Sequence, residues 1–356
     1  MNKIGLITWH YYLNFGSVLQ AYALQTVLTN YGQVEIINYR NPKFKKFSTA
    51  KNWTKIAMGY ILPNSNRIIK NSFNLFFYQH LKKVSKLFYD LDKWKNTYDC
   101  IICGSDQIWA PNVFDPVYML NFCDSSNTKK ISYAASIGLN DIPDDLISQY
   151  RKLLSDFHFI SVREESGAQL LRGKCGIKEV TTVLDPTLLL NPSEYTKIEK
   201  KVKNPNNFIF CYFLNDNNEY ERRVRVYAKQ NDQSIVGWSA KEKDTSYLGN
   251  YKWIGPQEFL WLIHHAKCVF TDSYHGTIFS LLYHKPFYTF ERFKSDDPIN
   301  QNSRIYQLDK WFGISKRIVT DTHPIEACEE FDYDKFEIDL KKARRISINF
   351  LKEALS

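Results

Sequence analysis

Strand-like and helix-like segments alternate along nearly the whole chain, and this order restricts the architecture more than any single motif does. Lys3 to Trp9 is a short apolar run typical of a buried strand, and Ser17 to Asn30 carries apolar side chains at helical spacing. Val34 to Tyr39 is strand-like again, and the pattern continues to the amphipathic stretch Tyr333 to Ala354. Such alternation predicts an α/β protein with parallel sheets built from βαβ units.

A length of 356 residues suits two domains. Residues 191–205 are polar and contain two prolines, which is typical of a linker. We therefore predict an N-terminal Rossmann-like domain over residues 1–190 and a C-terminal one over residues 206–332, facing each other across a cleft. The final helix, residues 333–356, can pack back on the first domain.

The composition predicts a cytoplasmic protein. Met1 to Trp9 lack the charged and apolar regions of a signal peptide, and no apolar run reaches the roughly 18 residues of a membrane span. Seven cysteines, scattered through strand-like segments, indicate a reducing compartment. Cys100 and Cys103 lie within one strand and have no second pair, so we expect structural roles rather than a redox or zinc site.

Positive charge is concentrated in one window of the chain. The net charge is +9, and residues 41–89 contain ten Lys and Arg, many aromatic residues and no Asp or Glu. A basic, aromatic helical surface is typical of proteins that contact anionic lipid head groups, which is the predicted partner. Alternatively, the aromatic side chains pack inward and the lysines form a solvated face. Nucleic acid is not expected, because no nucleic-acid-binding motif accompanies the charge.

Two loops of the first domain follow predicted strands directly. Asn14 to Ser17 separates the first strand from the first helix, and Gly104 to Trp109 follows the strand Asp99 to Cys103. Ligands usually bind at the carboxyl ends of parallel strands, so both loops are candidates for ligand contact. The lone glycine of the first loop is weak evidence for a nucleotide site, because there is no G-x-G-x-x-G pattern.

Arg163 ends another predicted strand, Phe159 to Val162. A guanidinium group binds a carboxylate or phosphate through two parallel hydrogen bonds, which makes Arg163 a candidate anion clamp. The alternative is an ion pair with Glu164, Glu165 or a nearby aspartate.

In the second domain the same patterns predict strands at Phe208–Leu214, Gln233–Trp238, Cys268–Thr271 and Pro286–Phe290, and helices near Asn218–Gln230, Pro256–His265, Gly276–His284 and Ser303–Trp311.

His275 stands where the predicted strand Cys268–Thr271 turns into a helix. Asp272 and Ser273 can cap that helix, and Gly276 lets a ligand approach the backbone. Thr277 adds a hydroxyl beside N–H groups that suit a phosphate or carboxylate. The pattern favours a titratable group held against an anion, and the alternative is a histidine in the core or in a cap.

Six motifs, in this order, resemble the polysaccharide pyruvyl transferase family. They are Asn14–Gln25 (NFGSVLQAYALQ), Gly104–Trp109 (GSDQIW), Tyr133–Gly138 (YAASIG), Ser161–Glu164 (SVRE), Leu184–Leu189 (LDPTLL) and His275–Thr277 (HGT). The resemblance implies a fold similar to the two-domain GT-B glycosyltransferases. It also implies transfer of the enolpyruvyl unit of phosphoenolpyruvate to two hydroxyls of a sugar, which gives a cyclic pyruvate ketal and phosphate.

The same resemblance implies roles on the donor side. His275 matches the family's histidine and would act as general acid or base. Some members carry a basic residue where this chain has Ser273, so one donor contact is missing or replaced, and Arg304 is the candidate replacement. The residues expected to bind the donor are Arg163, Ser273, Gly276, Thr277 and Arg304.

On the acceptor side, the resemblance implies that the loops of the first domain contact the sugar. The expected contacts are Asn14, Gly16, Ser17, Gly104, Ser105 and Gln107. Asp106 would be a second proton acceptor, and capping of its own turn is the alternative. No metal-ligand cluster is evident in the sequence, and no cofactor is expected apart from phosphoenolpyruvate as co-substrate.

The resemblance places the protein in exopolysaccharide or capsule biosynthesis. If the acceptor saccharide is carried on a lipid diphosphate, the basic window would bring the enzyme to the inner face of the membrane as a peripheral protein. Two other functions remain open. One is a GT-B glycosyltransferase that uses a nucleotide-sugar, and the other is a catalytically silent scaffold of polysaccharide assembly.

Overall fold

A computed structural model describes residues 2–41, 65–86, 97–203, 206–215, 217–239, 254–294, 296–297, 299–320, 322–325 and 329–356. The chain divides into two compact units. The first unit comprises Met1–Leu189 together with Ile346–Ser356, and the second comprises Leu190–Arg345. Each unit is built around a parallel sheet with helices, as the alternating pattern predicts.

The first unit contains a four-stranded parallel sheet in the order β2-β1-β3-β4. Its strands are Asn2–Ile7 (β1), Gly32–Ile36 (β2), Cys100–Cys103 (β3) and Lys129–Ser132 (β4). Ile4 of β1 lies opposite Val34 on one side and Cys100 on the other. A short parallel pair, Ser161–Val162 (β5) and Thr181–Thr182 (β6), lies beside β4, where single bridges join Ile131 to Phe159 and Ala135 to Val162. All the strand carboxyl ends therefore lie at one edge.

Helices cover this sheet, and the first of them is almost fully buried. They are Phe15–Leu28 (α1), Ser65–His80 (α2), Asp144–Leu154 (α3) and Glu165–Gly173 (α4), with single 3₁₀ turns at Pro111–Val113, Pro116–Met119 and Pro186–Leu188. In α1 only Tyr22 and Thr26 are not fully buried. A helix that is apolar on nearly all sides is expected to lie in a core, as α1 does.

Part of the basic window lies in α2. Phe73 and Phe76 are buried, and their rings lie 5.3 Å from Phe15 and 6.0 Å from Tyr22 of α1. These two aromatic side chains therefore pack inward on the domain, which is the alternative to a lipid-binding role for them. Four cations of the window are exposed, namely Lys70, Lys82, Lys83 and Lys86. Residues 42–64 and 87–96 lie outside the described residues, and so does that part of the predicted lipid-binding surface.

The second unit contains a five-stranded parallel sheet in the order β11-β10-β9-β7-β8. Its strands are Phe208–Phe213 (β7), Ser234–Ser239 (β8), Cys268–Thr271 (β9), Phe287–Phe290 (β10) and Ile318–Val319 (β11). Its helices are Pro192–Thr196 (α5), Asn218–Gln230 (α6), Pro256–His265 (α7), Tyr274–Leu282 (α8), Ser303–Phe312 (α9) and the long Tyr333–Leu355 (α10), whose last residues from Ile346 belong to the first unit.

The predicted linker covers residues 191–205. Residues 191–203 include α5 and belong to the second unit, where Lys200 N donates a hydrogen bond to Gln257 O at 3.2 Å. Among the described helices, none has the length and apolar character needed to cross a membrane.

The cysteines in the described part of the chain are buried and reduced. Burial raises the pKa of Cys100 to about 12 and that of Cys123 to about 11. Cys100 and Cys103 both lie in β3, and burial also raises the pKa of Cys103. A thiol with a raised pKa is a poor nucleophile, so these cysteines are suited to packing.

Candidate functional site

In the first unit, two polar loops meet at the carboxyl edge of the sheet. Asn14 caps α1, because its Oδ1 accepts a hydrogen bond from Ser17 N at 3.1 Å. The cap sets Ser17 in the first turn of α1, where its hydroxyl donates to Asp106 Oδ2 at 2.5 Å. The loop after β1 is thereby joined to the loop after β3.

Asp106 has two separate contacts. Its backbone is left-handed, with φ of +77°, and its Oδ1 accepts from Gln107 N at 2.9 Å, so it caps its own turn. Its Oδ2 accepts from Ser17, which lines a pocket beside α1. The pKa of the Tyr12 phenol is raised, chiefly by burial and then by the neighbouring Tyr11. The negative charges of Asp106 and Asp115 add to this rise. Capping and a role in proton transfer are therefore compatible in this geometry.

Arg163 forms the centre of a buried ion-pair cluster. Its Nε donates to Glu164 Oε1 and its Nη1 to Asp185 Oδ2, each at 2.9 Å, and its side chain is only 1% exposed. Hydroxyls complete the cluster, since Ser136 donates to Glu164 at 2.7 Å and Ser105 to Asp185 at 3.2 Å. Two carboxylates already neutralise the guanidinium. The geometry supports the ion-pair alternative for Arg163 and does not present it as an anion clamp.

Three residues expected to contact an acceptor are buried in packing roles. Ser105 is fully buried, and its carbonyl oxygen accepts from Thr8 Oγ1 at 2.8 Å. A Cβ on Gly104 would lie 3.0 Å from both Thr8 Cβ and Leu24 Cδ2, so the close approach of β1 and α1 explains this glycine. Gly16 is buried in the first turn of α1.

Gln107 also has a packing role. Its side chain crosses Gly138, where a Cβ would lie 2.3 Å from Gln107 Nε2. Gly138 has φ of +68°, so both its conformation and the neighbouring amide require glycine. Among the six predicted acceptor contacts, two line a pocket, namely Asn14 and Ser17.

That pocket has a volume of about 390 Å³ and lies beside the start of α1. Its lining is Trp9, Tyr12, Leu13, Asn14, Ser17, Asn41, Val113, Asp115 and Tyr118. Aromatic faces can pack against the C–H faces of a sugar ring, while carboxylate, amide and hydroxyl groups bind its hydroxyls. Trp9 and Tyr12 were not predicted from the sequence, although the run of aromatic residues before Asn14 was a visible signal.

Asp115 gives the pocket a defined polar wall. Its Oδ2 accepts from Tyr39 Oη at 3.0 Å and from Asn41 Nδ2 at 2.6 Å, and its Oδ1 accepts from Val117 N at 3.1 Å. These hydrogen bonds hold the carboxylate in one orientation. No local pattern pointed to Asp115, because its partners Tyr39 and Asn41 are more than 70 residues away.

In the second unit, His275 lies in the first turn of α8, directly after β9. Ser273 caps the helix, and its Oγ accepts from Gly276 N at 3.3 Å. Thr271 Oγ1 donates to Tyr212 O at 2.6 Å and accepts from Ser273 N at 3.0 Å, which holds the turn against β7. His275 is 7% exposed. The imidazole thus sits, nearly enclosed, at the positive end of a helix and at the carboxyl edge of a parallel sheet.

Gly276 and Thr277, expected to bind the donor, have packing explanations. A Cβ on Gly276 would lie 2.5 Å from Thr271 Oγ1, so glycine lets α8 approach β9. Thr277 is fully buried, where its Oγ1 donates to Ser273 O at 3.1 Å and bonds Thr289 Oγ1 at 2.8 Å. Both residues shape the turn that carries His275.

Asp272 braces a neighbouring loop rather than capping α8. Its Oδ1 accepts from Leu214 N at 2.7 Å and its Oδ2 from Asn215 N at 3.0 Å. Burial raises the pKa of Asp272, while the charge of Arg292 and the hydrogen bonds from Leu214 and Asn215 oppose that rise. The loop after β7 is therefore tied to the His275 turn.

Arg292 is a cation at this edge that the sequence analysis did not identify. It follows β10 by two residues, and β10 lies beside β9 with Thr289 opposite Thr271. Its charge acts on both Asp272 and Tyr212. Its Nε is buried and has no hydrogen-bond acceptor within the described ranges. The signal was available, since Arg292 closely follows the predicted strand Pro286 to Phe290.

Arg304, the predicted replacement cation, is held locally. It lies in α9 and is 7% exposed. Its Nε donates to Gln301 O at 3.2 Å and its Nη2 to Gln301 Oε1 at 2.8 Å. Arg292 is therefore better placed than Arg304 to hold an anion near the β9–α8 turn.

Comparison with known proteins relates these features to a family. A family model for polysaccharide pyruvyl transferase matches residues 14–292. No curated protein matches the chain. The chain is similar to the structure of UDP-N-acetylglucosamine 2-epimerase from Rickettsia bellii, with 10% identity, a TM-score of 0.53 and coverage of 99% of this chain and 95% of that one. It is also similar to a candidate UDP-N-acetylglucosamine 2-epimerase from Listeria monocytogenes, with 9% identity, a TM-score of 0.51 and coverage of 98% and 90%.

At such low identity, the structural likeness concerns the fold alone. The predicted α/β class with GT-B-like units is confirmed by the two parallel sheets and by these matches.

Proposed function

The chain belongs to the polysaccharide pyruvyl transferase family, and on that premise we propose that it transfers the enolpyruvyl unit of phosphoenolpyruvate to a sugar. The sugar belongs to a surface polysaccharide or its lipid-linked precursor. The products are a cyclic pyruvate ketal and phosphate. The observation that carries the proposal is the match over residues 14–292, which includes the polar loops of the first unit and the His275 turn.

The reaction requires proton transfer and anion binding. A proton added to the methylene carbon of phosphoenolpyruvate makes its second carbon electrophilic, and a sugar hydroxyl adds there and loses its proton. Phosphate leaves with the electrons of its C–O bond, and a second hydroxyl adds at the same carbon to close the ring. The two sugar hydroxyls release two protons. One replaces the proton that was added to the methylene carbon, and the other is taken up by the departing phosphate. The protein must supply acid, base and cations.

The second unit supplies the groups suited to the donor. His275 is the proposed acid or base, because an imidazole can both give and accept a proton. The first turn of α8 favours an anion next to it. Arg292 adds a full positive charge at the same sheet edge, and its buried Nε has no acceptor among the residues that the structure describes. We assign to Arg292 the cationic contact that Ser273 does not provide.

The first unit supplies the groups suited to the acceptor. The pocket beside α1 combines the aromatic rings of Trp9, Tyr12 and Tyr118 with polar side chains. Ser17 lines this pocket and donates to Asp106, so a proton lost by a bound hydroxyl can pass through Ser17 to the carboxylate. Arg163 takes a positioning role, since its ion pairs hold the carboxylates of Glu164 and Asp185. Asp185 in turn accepts a hydrogen bond from Ser105, the residue before Asp106.

The test is phosphate release from phosphoenolpyruvate with a panel of galactosides, glucosides, mannosides and N-acetylmannosaminides. We expect release that depends on one acceptor class and falls at least about 100-fold in His275→Ala, with an unchanged melting temperature. His284→Ala, at an exposed position, is the matched control. Retention of activity in His275→Ala would remove His275 from the mechanism. Binding of a nucleotide-sugar without binding of phosphoenolpyruvate would favour a glycosyltransferase instead.

A further inference from the structure

We propose that the second unit contains a zinc site formed by Glu199, His264 and His265. The candidate ligand atoms of these three side chains lie within 4.8 Å of one another. Within the described part of the chain, this is the group of three histidine and acidic side chains that lie close enough together to hold a metal ion. Two imidazoles and one carboxylate form a donor set that zinc uses with a water as fourth ligand. The proposal is independent of the pyruvyl transfer reaction.

The surroundings of His265 fix its tautomer and restrict its ring. Its Nδ1 lies 2.9 Å from Trp261 O, which can only accept, so Nδ1 carries the proton and its N–H donates a hydrogen bond to that oxygen. Nε2 is then the unprotonated nitrogen that a metal requires. The indole of Trp261 stacks on the imidazole, with ring centroids 4.3 Å apart and planes at 15°. A backbone hydrogen bond and a stacked ring together restrict the imidazole to one orientation.

His264 and Glu199 are already paired. His264 Nδ1 lies 2.9 Å from Glu199 Oε1 and 3.2 Å from Oε2. Two ligands bound tetrahedrally at about 2.1 Å from zinc are about 3.4 Å apart, so small rotations can admit a metal between them. Tyr283 stacks on His264, with centroids 4.5 Å apart and planes at 8°. The Glu199 side chain is 7% exposed, whereas His264 is 34% exposed, which leaves an entry path for the ion.

The location separates this cluster from the His275 turn. His264 and His265 are the last residues of α7, and β9 starts at Cys268, so the cluster lies at the amino end of β9. His275 follows the carboxyl end of that strand, after Thr271. Zinc bound here would tie α7 to the segment after α5, which contains Glu199. Its direct effect would be on the stability of the second unit.

The chemistry favours zinc over calcium or magnesium. Hard cations prefer oxygen ligands, whereas imidazole nitrogen suits zinc and its neighbours in the transition series. Lys285 also interacts electrostatically with Glu199, so a bound ion must compete with that cation. With three protein ligands and this competition, we expect moderate affinity, with a Kd on the order of micromolar.

The test is calorimetric titration of untagged, EDTA-treated protein with zinc chloride. We expect one zinc ion per chain, a melting temperature that rises with zinc and returns with EDTA, and a visible cobalt spectrum typical of tetrahedral coordination. His265→Ala and Glu199→Gln should each weaken zinc binding at least about 10-fold, while circular dichroism shows that both variants are folded.

His284→Ala is the matched control, because His284 and Glu337 also form a pair, at 2.7 Å, without the third ligand. Zinc affinity that is equal in wild type, His265→Ala and Glu199→Gln would overturn the proposal, as would the absence of binding at millimolar zinc. In either case, the His264–Glu199 contact would be a simple hydrogen-bonded pair.

Discussion

The Ser17 hydroxyl donates a hydrogen bond to Asp106 Oδ2 at 2.5 Å, which joins the first turn of α1 to the turn after β3. From Asp106 the hydrogen bonds continue, because Ser136 N donates to the Asp106 carbonyl oxygen and Ser136 Oγ binds Glu164 in the Arg163 cluster. One polar network thus connects the residues of several separate motifs at the carboxyl edge of the first sheet.

Replacing Asp106 with Asn should lower kcat by about 100-fold or more if its carboxylate accepts a proton from the sugar. Asn can still accept the hydrogen bond from Gln107 N, so the melting temperature should change little. Steady-state phosphate release measures the first quantity and calorimetry the second. Asp145→Asn, at an exposed position in α3, is the control. If the kcat of Asp106→Asn equals that of the wild type, the role of Asp106 is limited to capping its turn.

Replacing Trp9 with Ala should raise the KM for the acceptor by about 10-fold or more, because the pocket loses a large aromatic surface. The KM for phosphoenolpyruvate should not change, since the pocket is assigned to the sugar. Initial rates measured with each substrate varied in turn separate the two constants. Tyr78→Ala removes an aromatic side chain that is 80% exposed on α2 and should have no effect. A rise in the donor KM alone would contradict the assignment.

Replacing Arg292 with Ala should raise the KM for phosphoenolpyruvate by about 10- to 100-fold, the usual loss for a hydrogen bond to a charged group. Arg304→Ala is the comparison, because Arg304 is held by Gln301. We expect Arg304→Ala to leave the donor KM within a few-fold of wild type. The reverse result would restore Arg304 as the cation of the donor site.

His10 should make the protein less stable in mild acid. Its Nδ1 lies 2.8 Å from Thr8 O and its Nε2 lies 3.1 Å from Asn38 Oδ1, and burial lowers its pKa below 6.5. Below pH 6.5 the unfolded chain binds a proton at His10 that the folded chain does not. The free energy of unfolding therefore falls as pH falls through this value, by at most about 1.4 kcal/mol per pH unit, until the folded pKa is reached.

Urea denaturation between about pH 7.5 and about pH 5.5 measures this dependence. His10→Gln should flatten the slope, whereas His284→Gln at an exposed position should leave it unchanged. If the slope of His10→Gln equals that of wild type, another group is responsible for the acid sensitivity.

Replacing Lys82, Lys83 and Lys86 with Glu should reduce sedimentation with anionic liposomes. Each lysine near an anionic surface contributes about 1 kcal/mol, so the triple variant should bind at least about 100-fold more weakly. Binding to neutral liposomes should not change. The same charge reversal at Lys341, Arg345 and Lys352, exposed on α10, is the control. Equal losses in both triple variants would indicate net charge alone, and unchanged binding would eliminate this surface.

The secondary structure of the second unit was well predicted where local signals were strong. Cys268–Thr271, Asn218–Gln230 and Pro256–His265 have the boundaries predicted from the sequence. Asn217 caps α6, and Pro256 stands at the start of α7. Caps, prolines and apolar spacing act over a few neighbouring residues, which is why a sequence reveals them.

Polar side chains were harder to interpret. Arg163 and Gly276 were both expected at the donor, but one is buried between Glu164 and Asp185 and the other lets α8 approach Thr271. Conversely, Arg292 was missed although it follows a predicted strand. A motif identifies a residue that matters without distinguishing ligand contact from close packing, because both require the same residue types in the same turns.

The amino-acid sequence by itself therefore determined the α/β class, the order of the motifs and the family, all of which follow from local periodicity and short patterns. Only the tertiary structure decided which polar groups are buried together. Asp115 meets Tyr39 and Asn41, and Glu199 meets His264, across more than 60 intervening residues in each case. The physical reason is that burial and charge pairing depend on segments that the sheets bring together from distant parts of the chain.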